Sequence, residues 1–222
     1  SLQGNNVGVS FAHGSSGALT FDVLNIPVIT GQAASPINVN RLATASAAST
    51  FSGTVSGNVI GTAGLTNSGS VAGPGVRVVS NGVGGAVTVA VTGNTIREVA
   101  VRGIDVLARD GSSTINATIT GNDIILTSPS ALEGIRVDAG ALSTDAVKVC
   151  AVISGNTAAP PVSSGIRVRQ RFLGTTFNLA GYAGAPADNA AVAAFLASTN
   201  TASSTLADNG GPGFVGVASC PT

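Results

Sequence analysis

The chain has 222 residues, room for one domain or one elongated repeat body, with 30 glycines, one histidine, no methionine or tryptophan, and 9% charged residues, against about 25% in an ordinary globular domain. Ten basic residues balance ten acidic ones, so no long-range field draws in nucleic acid or an anionic membrane. No apolar run approaches the ~18 residues of a membrane helix, which argues against membrane insertion.

From the N-terminus, "GVSF" (8–11) and "PINV" (36–39) open a phrase that continues as "GVRV" (75–78), "GIDV" (103–106), "GIRV" (134–137) and "GIRV" (165–168), the last five at spacings of 39, 28, 31 and 31 residues. A second phrase interleaves with it: "VSGNVI" (55–60), "VTGNTI" (91–96), "ITGNDI" (119–124) and "ISGNTA" (153–158). Fixed periods of this size signal a solenoid. Within each repeat, Val87, Val89 and Val91, or Ile115, Ala117 and Ile119, alternate with small or polar residues, the period of a half-buried strand. Three short strands per coil, joined by glycine-containing corners, predict an all-β parallel β-helix of about six coils. The small-residue stretch "GTAGLTNSGSVAGPG" (61–75) lengthens one coil, and loops on rigid scaffolds carry recognition.

Further on, "LAGYAG" (179–184) sets Tyr182 in the slot that Asn holds elsewhere, and from Asp188 an Ala-rich stretch begins behind a helix N-cap residue. The expected organisation is therefore a β-helix over 1–186, then a capping helix and tail over 187–222. Such a cap covers the open edge of the last coil. No matching cap motif opens the chain, so either the first 30 residues improvise one or coils continue upstream.

The repeated Asn has a physical explanation. An Asn at a corner tolerates the left-handed backbone, and its amide can bond the same amide one coil away. Asn58, Asn94, Asn122 and Asn156 are expected to form a structural ladder, with Gly57, Gly93, Gly121 and Gly155 letting the chain bend. No ligand role is assigned to them.

Two outward columns on the "GIxV" strands hold most of the charge: Asn38, Arg77, Asp105, Arg136 and Arg167, and, two positions on, Asn40, Val79, Leu107, Asp138 and Arg169. One reading is a ladder of exposed ion pairs worth about 0–1 kcal/mol each. The other is a glycan-contact face at Arg77, Asp105, Arg136, Asp138, Arg167 and Arg169, in which carboxylates matched with Arg suit binding better than general-acid work. The hydroxyl column Thr20, Ser52, Thr88, Asn116, Cys150, Thr176, with Ser56, Thr92, Thr120 and Ser154 near the corner, could face ice, glycan or another rod; strand propensity alone also accounts for it. His13 stands without spaced partners, and "NGVGGAV" (81–87) lacks the Lys and helix of a phosphate loop. No catalytic residue, metal or cofactor is expected.

By register with Val147, Val149, Ala151 and Ile153, Cys150 faces outward, while Cys220 lies in a Gly-rich tail that can run back along the rod. A disulfide between them is expected, the alternatives being two free thiols or a metal shared with His13. A stable bridge implies an oxidising compartment.

The coils "VTGNTIREVAVRGIDV" and "TITGNDIILTSPSALEGIRV", followed by "KVCAVISGN", "SSGIRVRQRFLGTTFNLAGYAG", "DNAAVAAFLASTNTASST" and "GFVGVASCP", resemble the C-terminal part of large secreted bacterial proteins with β-helix repeats. The resemblance covers about residues 50–222. It implies a right-handed coil, export, the Cys150–Cys220 bridge and an adhesin-like or structural role, and it supplies no catalytic residues. No basic and apolar leader opens the chain, so an export signal is expected to have been removed or to lie upstream. The expected function is an extracellular or bacterial cell-surface rod, adhesive or filament-forming, with itself or a surface glycan as partner. The alternative is a β-helix enzyme that binds or cleaves polysaccharide with its Arg and Asp face.

Overall fold

A computed structural model describes residues 1–160 and 163–222. The chain winds as a parallel β-helix whose three sheets each stack seven strands. The first sheet takes Leu2–Gln3, Ile29–Thr30, Val59–Ile60, Thr95–Arg97, Asp123–Ile125, Thr157–Ala159 and Thr201–Ala202. The second takes Val9–His13, Ile37–Arg41, Val76–Gly82, Arg102–Gly111, Glu133–Ala139, Ile166–Gln170 and Thr205–Asn209. The third takes Ala18–Leu24, Thr50–Ser56, Ala86–Thr92, Thr114–Thr120, Lys148–Ser154, Thr176–Ala180 and Phe214–Val217. Each coil visits the three sheets in that order, so every strand pairs with its counterpart one coil away.

Alternation puts one apolar set inside. Val87, Val89, Val91, Ile115, Ala117, Ile119, Val149, Ala151 and Ile153 are all buried in the shared core, and in register they form continuous columns along the axis. Ring size grades along that axis. Phe11, Phe21 and Phe51 stack near the first coils with centroids 4.9 Å apart, Phe177 and Phe214 meet at 5.1 Å near the last, and the intervening columns are aliphatic. Gly53 sits in an inward position because a Cβ there would lie 2.6 Å from the Phe21 ring.

The expected end of the solenoid is displaced. The helix α1 (Asn189–Thr199) forms behind Asp188, whose Oδ1 accepts from the Ala191 N–H at 2.9 Å. Beyond it the chain makes one more coil, with Thr201–Ala202, Thr205–Asn209 and Phe214–Val217 pairing in parallel on the three sheets. The segment expected to be a tail is thus mostly a seventh coil. Val192 and Leu196 of α1 are fully buried in the core, and Thr205 Oγ1 donates to the Ala193 carbonyl at 2.8 Å, which fastens the helix over the final coils.

Candidate functional site

Strand register creates the site, and an asparagine column fixes that register. At the bend from the third sheet to the first, Asn58, Asn94 and Asn122 each donate from Nδ2 to the Oδ1 of the next Asn at 2.9 Å. The same Oδ1 accepts the preceding Asn's backbone N–H at 3.0–3.1 Å. All four predicted residues are buried. Asn156 then donates to Asn200 Oδ1 at 2.9 Å, so Asn200 fills the slot expected for Tyr182, whose hydroxyl instead donates to the Ala185 carbonyl. The left-handed conformation belongs to Gly57, Gly93, Gly121 and Gly155, at φ of 61–66°, and not to the Asn residues. Backbone strain and side-chain bonding are therefore split between neighbours.

The two charged columns lie in the second sheet as predicted, with Arg77, Asp105, Arg136 and Arg167 in one line and Asp138 beside Arg169 in the other. Arg136 grips Asp105 with Nε at 2.7 Å and Nη2 at 2.9 Å. Asp138 accepts from Arg169 Nε at 2.7 Å and Arg171 Nη2 at 3.2 Å, with Arg136 Nη1 3.7 Å away. A second chain of pairs runs Arg102, Glu133, Arg167, Asp208 at 2.5–3.4 Å. Apart from Asp208, which stays exposed, these are not the exposed pairs expected. The side chains of Asp138, Glu133 and Asp105 are 0%, 4% and 7% exposed, because short carboxylates between arginines one coil away are covered by the longer side chains that bind them.

Burial alone would lower the pKa of Arg136, yet its hydrogen bonds to Asp105 and the charges of Asp105, Asp138 and Glu133 hold it above the ordinary value. Arg167 is raised in the same way, against burial, by Asp208 and Glu133. Arg77 differs: among the described residues no carboxylate lies within ion-pair reach of it. Burial pushes its pKa down, Asp105 offsets part of that, and Arg109 and Arg136 add to it. The face therefore offers guanidinium N–H donors, with its buried carboxylates already engaged, which is the chemistry of anion recognition.

At the C-terminal end of this face an open cleft of about 500 Å³ is lined by Arg167, Arg169, Gln170, Arg171, Phe172, Asn189, Asp208, Asn209 and Gly210. Arg102, Glu133, Arg171 and Asp208 were missed from sequence. Arg102 and Glu133 each precede the glycine of a "GIxV" phrase and pair in register, so that column was readable. Asp208 belongs to the seventh coil and became visible only with it.

On the third sheet, Cys150 and Cys220 form the expected disulfide, with Cα atoms 5.6 Å apart. The last residues cross that sheet's outer face, where Pro221 and Thr222 edge a hollow shared with Ser52, Thr54, Thr88 and Thr118. Part of the hydroxyl column is thereby covered. The column also ends differently: Cys150 lies opposite Asn178, and Thr176 opposite Lys148, because Phe177 and Leu179 are the inward pair.

Three buried polar residues fasten the loops. Arg41 has no exposed surface and donates to Ser49 Oγ and the carbonyls of Asn81, Ala45 and Ser46. Glu98, at φ 53°, accepts from Gly64 N–H and from Thr127, tying the 61–75 loop to the body. His13 is also buried, packing on Phe51 and bonding Gly17. Burial alone would raise the pKa of Asp145, but the N–H groups of Ala141, Leu142 and Gly111 hold it below the usual carboxylate value. A depressed folded-state value contributes stability that is present above the unfolded pKa of about 3.9 and is lost as pH falls through the folded value. Asp145→Asn is therefore expected to cost about 1–3 kcal/mol at pH 7, and the gap from wild type should close below about pH 4. Denaturant titrations at the two pH values measure it; a gap that widens in acid would contradict this role.

Among the described residues no group of three or more His, Cys, Asp or Glu could hold a metal ion, and no helix is long and apolar enough to cross a membrane. Comparison of the chain with protein-family models, with curated proteins and with solved structures found no match in any of the three.

Proposed function

We propose that the chain is an extracellular, non-enzymatic β-helix rod, a structural or adhesive segment of a cell surface that meets glycan or further copies of itself along its sides. The observation that carries this reading is the parallel stacking of three seven-stranded sheets, in register but for one bulge at Arg109–Gly111, a body whose regularity serves shape rather than a deep reaction chamber. The Cys150–Cys220 bridge suits an oxidising compartment. The charged columns support contact with an anionic surface, since the carboxylates Asp105, Asp138 and Glu133 are each bound by arginine.

The guanidinium-lined cleft favours one second reading, a β-helix enzyme that acts on polysaccharide. Electron microscopy and sedimentation of the intact protein, with and without reductant, test the first. Elongated particles or ordered filaments that are retained on glycan-coated surfaces, without cleavage of a polysaccharide panel, are expected. Polysaccharide cleavage by the wild type that disappears in Asp105→Ala or Asp138→Ala would overturn the non-enzymatic reading.

A further inference from the structure

We infer that the cleft at the C-terminal end of the second sheet binds an acidic sugar, a uronate residue of a polysaccharide, with Arg171 and Phe172 as its principal contacts. The inference rests on the adhesive reading above and specifies its ligand.

The donors are unevenly spent. Arg167 is occupied by Asp208 and Glu133, and Arg169 by Asp138. Arg171 uses only one of the five N–H groups a guanidinium carries, the Nη2 contact to Asp138. Its Nε is shut off from solvent with no hydrogen-bond partner, and the same holds for Oδ1 of Asn189, also in the lining. Leaving such atoms unpaired is unfavourable, so both side chains gain by turning toward a ligand that supplies an acceptor to one and a donor to the other. A uronate does both, through its carboxylate and its ring hydroxyls.

The three lining arginines are matched in charge by Asp208, Glu133 and Asp138, so it is the unused N–H groups of Arg171, and not a net positive charge, that call for an acceptor. Planar guanidinium forks match a carboxylate in two-point geometry. Phe172, half-buried in the lining, adds an apolar surface for the C–H face of a pyranose, and Asn209 adds an amide for hydroxyls. A site built for a bare anion has no use for that ring. The cleft is open to solvent, so one residue of a longer chain can enter it while its neighbours stay outside.

Calorimetric titration of the intact protein with oligogalacturonate, its methyl-esterified form and a polyphosphate of similar charge tests this. Oligogalacturonate is expected to bind, with the methyl ester and the polyphosphate each at least roughly tenfold weaker. Arg171→Gln and Phe172→Ala should each weaken oligogalacturonate roughly tenfold, the effect of one good contact, with both variants still folded at the titration temperature by circular dichroism. Polyphosphate binding as tight as oligogalacturonate would overturn the sugar assignment. Undiminished binding in both variants would remove this cleft and leave adhesion through another surface standing. No binding to oligogalacturonate also overturns the inference, and retention of the wild type on glycan-coated surfaces then judges the adhesive reading separately.

Discussion

Asn122→Ala is expected to destabilise the protein by about 3–4 kcal/mol, among the larger effects a single substitution produces. The amide of Asn122 donates to Asn156 Oδ1 and to the Val91 carbonyl, and accepts from both the backbone and side-chain nitrogens of Asn94. Truncation orphans groups on both neighbouring coils inside a buried column, and each orphan costs about 1–3 kcal/mol. For a chain of this length that corresponds to a melting temperature lower by about 10 °C. Thr114→Ala, on the outer side of the same coil, serves as the control and should stay within about 0.5 kcal/mol. Calorimetry of the two variants decides the matter; an Asn122→Ala protein that melts with the control would mean that the ladder is decoration.

Asp138→Ala is expected to cost about 3–5 kcal/mol, the loss seen when one partner of a buried ion pair is removed. Asp138 has no exposed side-chain surface and serves Arg169 and Arg171, with Arg136 nearby. Without it several guanidinium groups crowd together with no counter-charge. The pair itself is a weaker source of stability than its loss suggests, since desolvation offsets much of the attraction. Adding Arg169→Met to Asp138→Leu should therefore cost less than the sum of the two single changes. Chemical denaturation of the four proteins closes the cycle, and strict additivity would show that the two side chains act independently.

Much of the fold is legible in the sequence because the solenoid repeats one physical problem. Coil after coil sets inward apolar residues at alternate positions, and four of the bends between the third and first sheets are Gly-Asn, so the four "GN" phrases display both. Asn200 escaped because it follows Thr199 instead of glycine and α1 separates it from the preceding strand, which breaks the spacing. The seventh coil escaped because its counterpart "STLA" (204–207) carries Ser in the glycine slot and Thr and Ala where the "GIxV" phrases carry Ile or Val and Val. The charged columns were legible because strand register is strict. Their depth was not, because the cover of Asp138 comes from side chains a coil away. Arg41 and Glu98 gave no signal, since both serve loops that follow no repeat.

The placement of the disulfide has a mechanical consequence. Cys150 lies in the fifth coil and Cys220 beyond the seventh, 70 residues on, so the sixth coil, α1 and the seventh coil lie inside one covalent loop. Tension that reaches the chain from beyond Cys220 passes through the sulfurs directly to the strand Lys148–Ser154. The terminal coils, which would otherwise peel away one strand at a time, stand outside the path of the load. A rod pulled from that end is gripped in its middle, where aliphatic columns and the Asn ladder continue on both sides.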